Sequence, residues 1–224
     1  MPGPLRKLCC HGLTHRFGNR YALLDLSVTI NQGTSLVTGP NGSGKSTFLS
    51  ILALLLRPSA GTLRYEDHRG RPIAPQHIRR HLTYVGHGSM VYPDHTPLEN
   101  VRFFAGFYAV PDLEDRCRSA LATMGMDPDD RRLCGQLSHG QQRRVSLARA
   151  LATQAQILIL DEPETGLDEA SIELLVEALA QTPRDDILVL ASHDERLIQT
   201  TADRRIVLSR GRLQQIPRTN GGAP

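Results

Sequence analysis

The chain lacks the features that would assign it to a membrane-spanning, disulfide-stabilised or disordered class. It has no tryptophan, 4% aromatic residues and four cysteines in 224 residues. Its longest clean apolar run covers residues 51–56, whereas a membrane helix needs about 20 apolar residues. No continuous apolar segment typical of a secretory signal occurs before residue 20. We therefore expect that the chain does not cross a bilayer.

Cysteine, histidine and charge likewise give no sign of a bound metal cluster or of nucleic acid. No two cysteines form C-x-x-C, so we expect reduced, buried thiols, and the nine histidines follow no metal-ligand spacing. The net charge is only +3 and the basic residues are scattered, so no nucleic-acid partner is expected. With 40% hydrophobic and 22% charged residues, the chain can bury an ordinary globular core.

The hydrophobic pattern predicts an α/β core interrupted by a mostly helical segment. Predicted strands cover residues 8–17, 23–30, 34–38, 61–66, 82–86, 156–160, 187–191 and 205–208. Predicted helices cover residues 45–57, 97–108, 113–124, 141–154 and 169–181. Because strands and helices alternate after residue 156, we expect parallel strands joined by crossover helices. We predict one domain over residues 1–224, with its core at 1–87 and 138–216, a helical insert at 88–137 and a frayed tail at 217–224.

A glycine-rich loop follows the predicted strand at 34–38 and has the pattern G-x-x-x-x-G-K-[ST]. It reads Gly39, Pro40, Asn41, Gly42, Ser43, Gly44, Lys45, Ser46 and Thr47, and we predict that all of these residues bind ATP. Its glycines let successive backbone N–H groups converge on phosphate oxygens, and the following helix adds the positive end of its dipole. Lys45 would reach the β- and γ-phosphates, and Ser46 would hold Mg²⁺.

A second candidate site lies where the apolar strand ending at residue 160 is followed by two acids, Asp161 and Glu162. The carboxyl ends of parallel strands face the ligand crevice of an open α/β sheet. We predict that Asp161 supports Mg²⁺ through a water molecule and that Glu162 orients or deprotonates the attacking water. Together the two motifs indicate a P-loop NTPase.

A third motif precedes the predicted helix at 141–154 and reads Leu137-Ser138-His139-Gly140-Gln141. It resembles the Leu-Ser-Gly-Gly-Gln signature of the ATP-binding-cassette (ABC) ATPases in four of five positions. The resemblance extends from residue 8 to about 216. It implies an α/β P-loop ATPase with a mixed, largely parallel sheet and flanking helices, an N-terminal antiparallel β subdomain and an inserted helical subdomain. ATP and Mg²⁺ are the implied cofactors.

The resemblance also implies a second ATPase subunit, most simply another copy of this chain. In an ATP-dependent head-to-tail dimer, the signature would bind the γ-phosphate held by the glycine-rich loop of the other subunit. The signature residues concerned are Ser138, His139, Gly140 and Gln141. Asp168, in the segment that resembles the family's D-loop, would cross the dimer interface.

Further roles at the nucleotide follow from the same resemblance. His193 follows the predicted strand at 187–191 and would contact the γ-phosphate, which completes a catalytic set with Lys45 and Glu162. Phe17 resembles the aromatic residue that stacks on adenine, and Tyr21 is the alternative.

One position departs from the family pattern. The family has a glutamine after the strand at 82–85 that binds Mg²⁺ and the attacking water, and alignment on Tyr92 and Pro93 puts Gly88 there. Glycine has no side chain to bind a metal. Three alternatives remain: His87 substitutes, water substitutes, or turnover is slow.

Within the family, residues 84–105 resemble two groups of exporters. One comprises the haem-exporter ATPases of cytochrome c maturation, and the other comprises ABC-2 type exporters of drugs, lipids or polysaccharides. The Gly86-His87 pair and the short chain favour the first group. Either group implies a peripheral subunit on the cytoplasmic face of the cell membrane that drives separate permease subunits. The alternative of another class is a soluble ABC ATPase of iron–sulfur cluster assembly.

The loop prediction is tested by Lys45→Ala. Removing the ammonium group should abolish nucleotide binding at sub-millimolar ATP, because the phosphates lose their principal positive partner. Equilibrium binding of a fluorescent ATP analogue measures this. Unchanged affinity would remove the argument for a phosphate-binding loop.

Overall fold

The computed structural model describes residues 5–214 with the exception of 109, 182, 184 and 202. The predicted frayed tail at 217–224 lies outside these residues. In the described part, the strands are β1 (Leu5–Phe17), β2 (Arg20–Asn31), β3 (Gly33–Thr38), β4 (Ala60–Asp67), β5 (Pro72–Ile73), β6 (Leu82–Val85), β7 (Ile157–Asp161), β8 (Ile187–Ala191), β9 (Arg204–Ser209) and β10 (Arg212–Gln214). The helices are α1 (Lys45–Leu52), α2 (Pro75–Ile78), α3 (Pro97–Ala105), α4 (Leu113–Thr123), α5 (His139–Ala152), α6 (Glu169–Ala180) and α7 (Glu195–Thr201).

The strands form two sheets of different character. The first has the order β2-β1-β4-β5, and all of its pairings are antiparallel. The second has the order β10-β9-β3-β8-β7-β6 and is parallel except for the β9–β10 pair. The expected α/β fold with an N-terminal antiparallel part and a largely parallel sheet is therefore confirmed.

Two hydrophobic cores pack against this framework. One joins the antiparallel sheet, α1 and the parallel sheet, and includes Leu8, Phe48 and Ile159. The other joins the parallel sheet to α3, α4, α5 and α6, and includes Val101, Leu121 and Leu160. Helices α3 and α4 come from the predicted insert, whose exact boundaries stay a prediction. Both cores reach strand β7, which is buried along its whole length.

Helix α1 is shorter than predicted. It was expected to continue to residue 57, but it ends at Leu52. Leu54 adopts a left-handed conformation with φ of 58°, and the amides of Leu55 and Leu56 both donate to the carbonyl of Ser50. The apolar run at 51–56 has the composition of a helix, but this left-handed residue turns the chain before the run is complete.

Other differences lie at the ends of elements. Helix α3 ends at Ala105 rather than at residue 108, while α5 begins at His139, before the predicted residue 141. Ser138 is the N-cap of α5, because its hydroxyl accepts a hydrogen bond from the Gln141 amide at 3.3 Å. The elements β5, β10, α2 and α7 were not predicted. Each is too short to show a hydrophobic periodicity in the sequence.

The cysteines agree with the expectation of reduced, buried thiols. All four cysteines are free and buried, and burial raises the pKa of Cys10 to about 12. Desolvation likewise raises the pKa of Cys134 to about 11. Over the residues placed by the structure, no helix combines the length and the apolar character that a membrane span requires.

A buried hydrogen bond ties the antiparallel sheet to α1. The Tyr65 hydroxyl donates to the carbonyl of Leu52, at the last turn of α1, over 2.6 Å. We predict that Tyr65→Phe lowers the free energy of unfolding by about 1–2 kcal/mol, because the Leu52 carbonyl stays buried without that donor. Thermal unfolding measures the change. Tyr21→Phe is the matched control, since Tyr21 is exposed, and an equal effect of both substitutions would contradict the prediction.

Candidate active site

The site is built where neighbouring parallel strands end. Strands β3, β8, β7 and β6 are adjacent in the sheet, and the loops after their carboxyl ends carry the predicted motifs. The glycine-rich loop follows β3, Glu162 follows β7 and His193 follows β8. His87 follows β6 two residues after the strand ends. The sheet therefore brings together residues that are far apart in sequence.

The glycine-rich loop is held in shape by close backbone contacts. Gly39 has a φ of 148°, and a Cβ there would lie 2.1 Å from the carbonyl oxygen of Leu208. At Gly44, with φ of 103°, a Cβ would lie 2.4 Å from the carbonyl oxygen of Ala22. Both positions exclude any side chain. The curled loop that could surround a phosphate thus depends on these two glycines.

Lys45 begins α1 and points its side chain back along the loop. It is 5% exposed, and its Nζ donates to the carbonyl of Gly39 at 2.8 Å and to that of Pro40 at 3.4 Å. Ser43 lies inside the same loop, where its amide donates to the Pro40 carbonyl at 3.1 Å. Gly39, Pro40 and Ser43 therefore shape the loop rather than line the cleft beside it.

An open cleft of about 560 Å³ runs from the loop to the antiparallel sheet. Its lining residues include Phe17, Arg20, Tyr21, Asn41, Gly42, Gly44, Lys45, Ser46, Thr47, His87 and Glu162. Phe17 and Tyr21 are 57% and 55% exposed, so both aromatic rings are accessible to a flat ligand. The ring of His15 packs edge-on against Phe17 at 4.7 Å between centroids and supports that ring from one side.

Two carboxylates follow one another at the end of β7 in different environments. Asp161 is fully buried, and neither of its carboxylate oxygens has a hydrogen-bond partner among the described residues. Burial raises the pKa of the Tyr84 hydroxyl, and the negative charge of Asp161 raises it further. A buried carboxylate with free acceptor oxygens is a suitable partner for a divalent cation, and Ser46 supplies a hydroxyl nearby.

Glu162 has a left-handed backbone with φ of 49°, at a cost of about 1–2 kcal/mol for a residue other than glycine. Its amide donates to the carbonyl of Ala191 at the end of β8, over 2.8 Å. This turn directs the Glu162 side chain into the cleft while Asp161 stays in the sheet.

His87 and His193 stand on either side of the Glu162 carboxylate. The Nδ1 atom of His87 lies 3.6 Å from Oε2 of Glu162, and Nε2 of His193 lies 3.5 Å from Oε1. The structure thus places His87 in the cleft. Gly88 does not line the cleft, and a side chain at that position would start beside Met90.

The signature residues lie outside this cleft. Ser138 and Gln141 cap the start of α5, and Gly140 approaches the loop before α6 so closely that a Cβ would lie 3.1 Å from the Gly166 carbonyl. Asp168 caps α6, with its Oδ1 accepting from the Ser171 amide at 2.9 Å, and hydrogen bonding to the side chain and the amide of Ser171 lowers the pKa of Asp168. The segments resembling the signature and the D-loop are therefore neighbours on the surface.

Comparison with known proteins agrees with this arrangement. Residues 23–165 match the family model described as ABC transporter. The chain belongs to the ABC transporter family. Within this family it is an ATP-binding cassette, and ATP hydrolysis coupled to transport is its activity.

Three relatives show how far the similarity of this ABC ATPase extends. The cytochrome c biogenesis ATP-binding export protein CcmA of Nitrosomonas europaea is 32% identical over 93% of this chain and 98% of the relative. The lipoprotein-releasing system ATP-binding protein LolD 1 of Caulobacter vibrioides is 34% identical over 89% of both chains. The ATP-binding cassette MJ0796, solved as a post-hydrolysis dimer bound to ADP and Pi, has a TM-score of 0.81 and 27% identity. That alignment covers 96% of this chain and 100% of the solved one.

Arg143 of the ABC ATPase is a site residue that the sequence did not reveal. It is 3% exposed, and its guanidinium donates to the carbonyls of Gly86, Glu162 and Pro163. Burial lowers the pKa of Arg143, while Glu164 and Asp161 raise it. Helix α5 therefore ties together the loops after β6 and β7. An arginine among several in one helix gives no sequence signal of this role.

Glu164 was also missed. Its Oε1 accepts from the Ser192 hydroxyl and from the His193 amide, each at 2.8 Å. Its Oε2 is buried and has no hydrogen-bond partner within the described ranges. This carboxylate joins the segment between Glu162 and Asp168 to the loop that carries His193. Its significance depends on a contact between distant parts of the chain, which a linear motif does not show.

Glu164→Ala should therefore lower the ATPase turnover about tenfold, because losing two hydrogen bonds to a charged acceptor frees the His193 loop. Glu164→Gln keeps an acceptor oxygen and should recover most of the rate. Steady-state kinetics measure kcat and KM separately, and kcat should carry the change. Equal rates for the parent and the alanine variant would show that the loop is positioned without Glu164.

Proposed function

We propose that this ABC ATPase powers the export of haem for cytochrome c biogenesis through separate membrane permease subunits. The observation that supports the proposal is the similarity to the Nitrosomonas europaea CcmA along nearly the full length of both chains. The Gly86-His87 pair adds to it. Because the lipoprotein-releasing relative is equally similar in identity, an ATPase that powers the release of lipoproteins is the second candidate.

We propose the following roles around bound ATP. Phe17 or Tyr21 stacks on the adenine ring, and the backbone N–H groups of the glycine-rich loop surround the phosphates. Lys45 exchanges its bonds to the Gly39 and Pro40 carbonyls for the β- and γ-phosphates.

Ser46 and Asp161 are the proposed protein partners of Mg²⁺, with Asp161 acting through a water molecule. The free oxygens of the buried Asp161 carboxylate support this assignment. When bound, the cation neutralises charge on the phosphate oxygens. Glu162 accepts the proton of the attacking water, and His193 donates a hydrogen bond to the γ-phosphate.

We further propose that hydrolysis takes place in a head-to-tail homodimer. The signature residues Ser138 to Gln141 do not line the cleft of their own chain, so they are free to bind a γ-phosphate held by a second copy. Asp168 lies beside them and would cross the same interface. The dimeric state of the solved cassette supports this arrangement.

The permease would dock on a second groove of about 450 Å³ on the other side of β6. It is lined mainly by apolar side chains, among them Leu55, Met90, Phe104 and Tyr108. Leu55 and Met90 are 64% and 76% exposed. Gly86 and Gly88 also border this groove, so a partner there would touch the loop that carries His87. We propose that this contact holds the protein at the cytoplasmic face of the membrane.

The base and dimer assignments are tested together by Glu162→Gln. The variant should bind ATP with the parent's affinity, lose at least about 100-fold in turnover and accumulate as an ATP-bound dimer. Light scattering coupled to gel filtration measures the dimer. Hydrolysis at the parent rate would show that Glu162 is not the base, and a monomer at saturating ATP would contradict the trapped dimer.

The cargo class is tested by affinity capture. Tagged Glu162→Gln protein is recovered from gently solubilised native membranes with MgATP, and Lys45→Ala serves as the control that cannot bind nucleotide. Small multi-span partners of the cytochrome maturation type are the expected result. A single six-span permease would move the assignment to an ABC-2 exporter. Recovery of only soluble iron–sulfur assembly proteins would overturn the transporter assignment.

A further inference from the structure

We infer that Nε2 of His87 is a direct ligand of the divalent cation that accompanies ATP. The inference rests on the proposed nucleotide site and concerns the residue immediately before Gly88, which occupies the position of the family's glutamine. An imidazole nitrogen would then stand where the family supplies an oxygen. The geometry of four side chains supports this assignment.

The two nitrogens of His87 face different groups. Nε2 lies 3.4 Å from Oγ of Ser46 and 3.7 Å from Oδ2 of Asp161, the two proposed protein partners of Mg²⁺. Nδ1 lies 3.6 Å from Oε2 of Glu162. A metal-bound histidine usually donates a hydrogen bond from its other ring nitrogen to a carboxylate, which fixes the ring, and Glu162 lies just beyond hydrogen-bond distance of Nδ1.

The separations fit ligands of one cation better than a tight ion pair. Two ligands of an octahedral cation with bonds of about 2.1 Å lie about 3 Å apart when adjacent and about 4.2 Å apart when opposite. The 3.4 Å between Nε2 and Oγ of Ser46 is nearer the adjacent spacing, so these two atoms would bind one cation directly, while Asp161, 3.7 Å from Nε2, would act on it through a water molecule. Both distances exceed the usual length of about 2.8 Å for a charge-assisted hydrogen bond. Asp161 meanwhile has no hydrogen-bond partner of its own in the described part of the chain.

The protein groups do not form a complete site by themselves. Over the residues that the structure describes, no group of three histidine, cysteine, aspartate or glutamate side chains could hold a metal ion. The cation must therefore take its remaining ligands from the nucleotide phosphates and water. His87 would act on the nucleotide-bound cation and would not create an independent metal centre.

A nitrogen ligand has a consequence for the choice of cation. Imidazole suits Ni²⁺ and Zn²⁺ best, and Mn²⁺, although it binds mainly oxygen, accepts a nitrogen ligand more readily than Mg²⁺ does. The parent protein should consequently bind Mn²⁺·nucleotide more tightly than Mg²⁺·nucleotide. The substitution His87→Gln should remove this preference. This preference is a property of binding and does not require turnover.

The ligand is identified by pulsed electron paramagnetic resonance of Mn²⁺·ATPγS bound to the full-length protein and frozen before hydrolysis. The parent should show both ³¹P couplings from the nucleotide and ¹⁴N modulation from a directly bound imidazole. His87→Gln should keep the ³¹P couplings and lose the ¹⁴N modulation. His193→Ala is the matched control, and it should keep both signals.

The possible results separate the ligand assignment from the nucleotide site. Parent protein with ³¹P couplings but no ¹⁴N modulation would overturn the role of His87 and leave the nucleotide site intact. Modulation that survives in His87→Gln and disappears in His193→Ala would assign the nitrogen to His193 instead. Absence of protein-bound Mn²⁺·ATPγS would overturn the proposed nucleotide site itself.

An equilibrium measurement gives a second readout. The ratio of the dissociation constants of Mg²⁺·ATPγS and Mn²⁺·ATPγS should fall about tenfold from the parent to His87→Gln, equivalent to about 1.4 kcal/mol. Competition against a fluorescent nucleotide measures both constants. The same ratio in both proteins would contradict a nitrogen ligand, even if the substitution weakened binding overall.

Discussion

The candidate site depends on the register of four parallel strands. Pairing of Val37 with Ala191, Leu190 with Leu160, and Leu160 with Val85 brings the carboxyl ends of β3, β8, β7 and β6 to one level. Since side chains alternate across a sheet, a slip of one residue in β7 would turn the Asp161 carboxylate to the opposite face. The burial of every residue of β7 on two hydrophobic cores opposes such a slip.

Beyond the strand ends, the buried Arg143 and the half-buried Glu164 hold the loops in place. Arg143 binds three carbonyls from the loops after β6 and β7, and Glu164 binds the loop after β8. A buried charge that lost its partners would be costly, so each loop is restrained by groups that cannot easily leave. Because Gly86 is one of the three carbonyls, the loop of His87 and the turn of Glu162 share a single anchor. The two loops are therefore linked to each other through α5.

Local motifs predicted much of the site, and long-range contacts account for what they did not predict. The glycine-rich loop, the acids after β7 and the signature before α5 each combine a residue type with the end of one element, so a linear pattern contains them. Arg143 and Glu164 bind groups about 20 or more residues away, which no local pattern reveals. The early end of α1 follows from the left-handed Leu54, although composition alone favours a longer helix.

At Glu162, stability and activity favour different residues, because the left-handed backbone lowers stability while the proposed chemistry needs the carboxylate. Glycine would adopt this φ of 49° without a steric penalty, and asparagine would tolerate it. Selection for a more stable chain alone would therefore tend to replace the glutamate. A screen of random variants for heat resistance should enrich glycine at this position among inactive survivors. Glu162, whose backbone is strained, is thus retained only as long as its carboxylate is needed for activity.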